Sequence, residues 1–300
     1  MQLKANLLLL LTAAIWGFAF VAQRVGMDYI QPFTFNGIRF ILGGLSLLPL
    51  IIYFDKTKNQ PSPSSTASSL KAGALAGLVL FIAASLQQIG LIYTTAGKSA
   101  FITALYIVLV PFFGIFLRQR IAATTWFGSG IAIIGLYLLC MKTGFTIAYG
   151  DFLELIGSFF WAIHILLIDH YSRKVDALKL ASCQFIICGL LSLVIAVSIE
   201  TITLSGITNT ALPILYGGIC SVGIAYTLQI IGQKHAAPAP AAIILSMETV
   251  FAAIGGFLLL GETLSLQEFS GCILMFLGMI ISQLPSFSPQ KKTATANDNT

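Results

Sequence analysis

Arg39 stands in the middle of an apolar run, on one helical stripe with Asn36, Gly43 and Ser46 at spacings of i+3, i+7 and i+10 from Asn36. A guanidinium in such a place has two readings. It holds a carboxylate by a bidentate contact, or it bonds backbone carbonyls or a neighbouring helix and only holds the fold. Glu248, flanked by Ser246 and Thr249, lies inside another apolar run. A carboxyl there is either a proton carrier or a structural partner for a nearby polar group. His164 lies one turn beyond Trp161. Histidine titrates near neutral pH and suits a relay, with a plain hydrogen bond to a neighbour as the other reading. Asp169 and His170 follow His164 off its helical face, so they read as interfacial residues and not as a metal site.

Around these ionisable groups stand aromatic and amide side chains. Trp16, Phe20 and Gln23 share one helical face, as do Ser99, Thr103 and Tyr106, and Tyr226, Gln229 and Gln233. Gln88 and Gln184 fall within further apolar runs. Aromatics with a few amides and hydroxyls suit a small amphipathic ligand, or serve helix packing and interfacial anchoring. The expected binding set is Trp16, Asn36, Arg39, Gln88, Tyr106, Trp161, His164, Gln184, Tyr226 and Gln229, with Glu248 as the proton-coupling candidate. No cofactor or metal is expected.

The elements that must carry these residues follow from composition. The chain of 300 residues is 57% hydrophobic and 9% charged, with mean hydropathy +0.92. A soluble domain carries about 25% charged residues, so this is a polytopic membrane protein. The net charge of +5 does not indicate nucleic acid, because the basic residues sit in short loops and form no patch. Five cysteines (Cys140, Cys183, Cys188, Cys220 and Cys272) lie in apolar runs without a C-x-x-C and read as small core residues. Ten apolar segments are long enough to cross about 30 Å of hydrocarbon. They are predicted at 5–23, 33–54, 70–92, 98–117, 123–141, 151–169, 178–199, 211–233, 239–260 and 266–284. The first, although it begins with Lys4 and the Leu7 to Leu11 run, reads as a span and not as a cleaved leader.

The chain also says nearly the same thing twice. Trp16 and Arg39 are 23 residues apart, and so are Trp161 and Gln184; the shift from one tryptophan to the other is 145 residues. Gly128 and Gly135 recur as Gly271 and Gly278 after 143 residues. Counting Lys and Arg in alternate loops with the N-terminus inside gives 12 against 3, Arg39 being within a span. The positive-inside rule then puts both termini in the cytoplasm. Five spans per half make the repeat inverted. The expected architecture is all-α, ten transmembrane helices in two inverted five-helix repeats, 1–143 and 144–285. The polar tail 286–300, with Lys291 and Lys292, is expected to be disordered, and the loop 60–69 flexible.

The residues Trp16, Gly17, Phe20, Arg39, Phe40, Gln87, Gln88, Gly90, Ala96, Gly97, Pro111, Trp126 and Gly128 form one pattern. Trp161, Ala162, Gln184, Met247, Glu248, Gly261, Glu262, Gly271 and Gly278 form a second. Together they resemble the drug/metabolite transporters of the EamA type. The resemblance covers about residues 5–284. Thr249 departs from it, standing where the second repeat often has proline after a similar glutamate. The resemblance implies a ten-span carrier that exports amino acids, other metabolites or drugs across the bacterial inner membrane.

The expected function is therefore export of small metabolites, amino acids or related amphipathic compounds, by alternating access with proton coupling. A multidrug or organic-cation exporter of the same fold is the alternative. No H-E-x-x-H, G-x-S-x-G or nucleotide-binding loop argues for an enzyme or an ATP-driven pump, and no filter-like motif argues for a channel. The expected partners are a small-molecule substrate and the lipid bilayer. One chain can form a complete pathway, so a monomer suffices and a dimer is allowed.

Overall fold

The computed structural model describes residues 2–57, 66–119, 121–140, 148–260 and 265–284. Among these every regular element is helical and none is a strand. Among the described residues lie ten apolar helical segments: Gln2–Gly26 (span one), Pro32–Thr57 (two), Thr66–Tyr93 (three), Ala96–Phe116 (four), Ala123–Cys140 (five), Tyr149–Ser172 (six), Ala177–Ile199 (seven), Ala211–Gln233 (eight), Pro238–Leu245 with Glu248–Leu260 (nine), and Leu266–Ser282 (ten), with a short helix, Leu204–Asn209, between seven and eight. Eight are long and apolar enough to cross a membrane, and spans five and ten are shorter apolar helices. Leu3, Leu7, Ile52, Phe116, Val197 and Leu258 are exposed, the outward-facing apolar surface that a bilayer solvates. The residues Lys58, Arg120, Lys142, Gly261, Glu262, Lys291, Lys292, the 60–65 segment, the tail 286–300 and the side chain of Cys140 lie outside the described residues. Cys183, Cys188, Cys220 and Cys272 carry free thiols.

Glycines reveal how the two halves are related. A Cβ on Gly128 would come 2.6 Å from the carbonyl oxygen of Gly278, and one on Gly135 would come 2.7 Å from that of Gly271. Rising along span five therefore means descending along span ten, so these repeat-equivalent helices cross antiparallel. Spans two and seven do the same: Gly44 faces Ile186, Gly37 faces Leu193, and Gly189 faces Ile41. The remaining pairings obey the same two-fold relation. Span three packs on span six as span eight packs on span one, and spans four and nine meet each other. The repeats are inverted.

Three spans are interrupted, a feature the hydropathy pattern does not carry. In span two the helix Pro32–Ser46 stops at Leu47 and restarts as Leu48–Thr57. Pro49 explains this, since it has no N–H to donate and its ring crowds the carbonyl four residues back. Span four breaks at Ala104 and Leu105, between Ala96–Thr103 and Tyr106–Phe116. Span nine breaks at Ser246 and Met247. These two breaks are repeat-equivalent, and both tighten to three-residue hydrogen bonds, such as Ile107 to Ala104 and Thr249 to Ser246. Each break delivers the residue after it to the same place, Tyr106 in one repeat and Glu248 in the other. Span eight departs differently. Residues Tyr216–Tyr226, with three glycines, form a π-helical stretch, a widened turn that frequently marks functional sites.

The two ends of the paired spans two and seven are latched unequally. At one end Glu200 accepts hydrogen bonds from the amides of Phe33 (2.8 Å) and Thr34 (2.7 Å) and from the Thr34 hydroxyl (2.7 Å), which caps the start of span two. At the other end the equivalent acid, Asp55, makes only an ion pair with Lys179 at 2.9 Å.

Candidate substrate-binding site

A narrow cavity of about 30 Å³ lies between the repeats. Five aromatic rings line it: Trp16 and Phe20 from span one, Tyr106 from span four, Trp161 from span six and Tyr226 from span eight. Tyr226 is the hub. Its ring centre is 4.5 Å from that of Trp16 and 6.2 Å from that of Trp161, the latter nearly parallel at 23°. Tyr226 ends the π-helical stretch, within which the Ser221 carbonyl accepts Trp16 Nε1 at 3.3 Å. Span one can bring Trp16 this close because Gly17 lies directly against the backbone of span nine. A Cβ on Gly17 would be 2.7 Å from the Glu248 carbonyl oxygen and 2.7 Å from the Ala252 nitrogen.

Two ionisable groups of opposite sign line the same space, Arg39 and Glu248. Arg39 is 2% exposed. Its Nε donates to Asn36 Oδ1 at 3.0 Å, and Asn36 in turn donates from Nδ2 to the Ala84 carbonyl at 3.0 Å, which fixes the guanidinium plane. The guanidinium carbon lies 4.8 Å from the centre of the Phe40 ring and 5.5 Å from that of Phe35, contacts that favour a cation. No carboxylate among the described residues forms an ion pair with it. Glu248 accepts the Tyr106 hydroxyl at 2.8 Å. Gln23, Gln87, Gln229, Thr103, Ser221 and Ile165 complete the wall; Gln87 and Gln229 are repeat-equivalent.

The structure thus gathers Trp16, Arg39, Tyr106, Trp161, Tyr226, Gln229 and Glu248 around one cavity. Asn36 acts behind Arg39. Gln88 lies off the wall, fully buried with both amide atoms unpartnered, while its neighbour Gln87 faces the cavity. His164 and Gln184 are also off the wall. They bond each other, Nε2 to Oε1, at 3.0 Å, behind the aromatic cluster and edge-on to Tyr226. Gln233 donates to the Ile165 carbonyl at 3.0 Å. Asp169 pairs with Arg173 at 3.1 Å and His170 contacts Lys174 at 2.9 Å. No group of three metal-ligating side chains occurs among the described residues.

Phe20 and Thr103 also belong to the wall, and both were visible as members of helical faces. Glu154 was missed. It is fully buried in span six and accepts hydrogen bonds from Ser99 and Thr103. Its signal was available, since Asp151 and Glu154 stand three residues apart at the head of an otherwise apolar run.

The chain matches the EamA-like transporter family over residues 3–141 and again over 148–283. It belongs to that family. Among its relatives, an uncharacterized transporter of Archaeoglobus fulgidus is 32% identical, the match covering 94% of this chain and 87% of the relative. One of Clostridium kluyveri is 26% identical over 98% of this chain and 96% of the relative. The Escherichia coli uncharacterized inner membrane transporter YedA is 25% identical over 89% and 85%. A crystal structure at 17% identity superposes with a TM-score of 0.77, covering 94% of this chain and 97% of the other, which establishes the shared fold. This member of the EamA-like family is accordingly a multi-pass membrane transporter, with an aromatic cavity holding one arginine and one glutamate between its repeats.

Proposed function

We propose that this transporter exports a small amphipathic metabolite bearing a carboxylate, an amino acid with an apolar side chain or a close relative, across the bacterial cytoplasmic membrane by alternating access. The observation that carries this reading is Arg39: a buried cation on the cavity wall, held by Asn36, with no carboxylate among the described residues paired to it. A desolvated cation calls for an anion, and a guanidinium fork matches a carboxylate. The rings of Trp16, Trp161 and Tyr226 suit the apolar part of the same molecule. Glu248, in the same cavity, suits its ammonium group. The ammonium group and a proton then compete for one carboxyl, which couples export to proton entry. The asymmetry of Lys and Arg between alternate loops supports placing the N-terminus in the cytoplasm.

The aromatic box around Glu248 also suits an organic cation, and the decisive experiment separates the two. Counterflow in proteoliposomes is run with labelled amino acids and with a labelled quaternary ammonium compound, with and without a pH gradient, for wild type and Glu248→Gln. We expect saturable amino-acid counterflow in both proteins and gradient-driven uptake in wild type alone. Counterflow of the cation and not of any amino acid overturns the reading. Trp16→Ala, which removes the ring tilted against Tyr226 at 60°, is expected to raise KM about tenfold with an unchanged yield of folded protein; an unchanged KM with a lower yield makes Trp16 a packing residue.

A further inference from the structure

We propose that Glu154 is the proton relay between Glu248 and the face of the bundle opposite the N-terminus, and that a difference between the repeats makes this relay one-sided. The proposal rests on the proton-coupled reading above.

Glu154 is fully buried. Ser99 donates to its Oε1, and Thr103 donates to its Oε2 at 3.1 Å. No cation among the described residues forms an ion pair with it, and Lys98 at the head of span four pairs with Asp151 at 2.6 Å. A carboxyl buried in a membrane span without a counter-ion takes up a proton in place of carrying an unpaired charge. The charged and titratable groups facing it are few. Span four presents Ser99, Thr103 and, at its start, Lys98. Span six itself presents Asp151, and Glu248 of span nine lines the same cavity as Thr103. Span three presents the backbone of Gly90, whose Cβ position is 2.8 Å from Glu154 Oε1.

These contacts form a path. Asp151 lies one helical turn from Glu154, at the mouth of the bundle, where it also accepts the Thr94 hydroxyl at 3.0 Å and the Ala148 amide at 2.7 Å. Lys98 beside it is 28% exposed. On the other side Thr103 belongs both to Glu154 and to the cavity wall, and one turn further Tyr106 reaches Glu248. The Thr103 hydroxyl turns its own proton towards the cavity and accepts the O–H proton of the neutral Glu154, releasing its own through cavity water to an ionised Glu248. Glu248 becomes the neutral acid, and a proton arriving at the Asp151 end restores Glu154 to its neutral form.

The repeat supplies the sidedness. The position equivalent to Glu154 in the first half is Leu9, packed against Gly232 as Glu154 is packed against Gly90. One end of the pathway is thus sealed by a carboxyl network and the other by a leucine, so the relay reaches one side only.

The test follows the carboxyl proton itself and needs no substrate. Infrared spectroscopy of the purified, reconstituted transporter moved from H₂O to D₂O records the carbonyl band of each protonated carboxyl as its proton exchanges. The component absent from Glu248→Gln belongs to Glu248. We expect that component to exchange about tenfold or more slowly in Glu154→Gln and in Thr103→Val, with partial recovery in Glu154→Asp. A clear Glu248 band exchanging at the wild-type rate in both variants overturns the relay alone. Absence of any protonated Glu248 band in wild type sinks the proton-coupled reading, and the relay with it.

Discussion

Arg39→Gln is expected to raise the KM for carboxylate-bearing substrates by roughly thirtyfold while changing that for their uncharged amide analogues only a few-fold. A hydrogen bond to a charged group is worth about 2 kcal/mol, and 1.4 kcal/mol is tenfold in affinity. The substitution writes into the first half what the second half already contains, since Gln184 occupies the equivalent position. Glutamine therefore fits an inverted copy of this helix environment. The competing account is that Arg39 serves the fold through Asn36 and the rings of Phe35 and Phe40. Counterflow with paired acids and amides separates the two. Equal loss for both substrates, accompanied by lower thermal stability in detergent, would assign the arginine to structure.

The second large effect concerns assembly. Gly278→Ala is expected to destabilise the transporter by about 2 kcal/mol or more, whereas Gly130→Ala is expected to be neutral or mildly stabilising. In isolation both changes favour a helix, because alanine loses less backbone entropy than glycine on folding. The surroundings reverse the sign at one site. A methyl on Gly278 meets the Gly128 carbonyl oxygen at 2.6 Å and the Ala132 nitrogen at 2.8 Å, backbone atoms that no rotamer can move. A methyl on Gly130 meets nothing within 4 Å. Thermal unfolding in detergent, followed by size-exclusion chromatography, gives both melting temperatures. Similar values for the two variants would mean that close approach of spans five and ten contributes nothing to stability.

These sites also show what a single sequence can reveal. Span positions were legible because a run of apolar residues about 20 long has few other uses. The inversion was legible from Trp16 and Trp161, Arg39 and Gln184, and an odd number of spans per half. Helix continuity was not. The breaks at Ala104 and Ser246 carry no glycine or proline, and the π-helical turn in span eight shifts every residue after it around the helix. Registers that depend on such defects cannot be read from a 3.6-residue period. Span three is an unbroken helix, but Gln87 and Gln88 are both buried in it, so their place in an apolar run does not say which of them faces the cavity. Glu154 was missed for a different reason. The predicted span begins at 151 and its two leading acids received no reading, whereas the helix begins at Tyr149 and buries both Asp151 and Glu154.

The hydrogen bond between Tyr106 and Glu248 joins two positions that the internal symmetry maps onto each other. A contact of that kind straddles the pseudo-two-fold axis. In the alternating access proposed above, the halves of an inverted-repeat carrier trade conformations, and an off-axis contact that opens does so in turn with its counterpart: Gly90 against Glu154 and Gly232 against Leu9, both closed in this structure, are such a pair. An on-axis contact is its own counterpart and survives the exchange. On that proposed mechanism Tyr106 and Glu248 are the fixed point of the exchange, and Glu248 meets both sides of the membrane without itself having to travel.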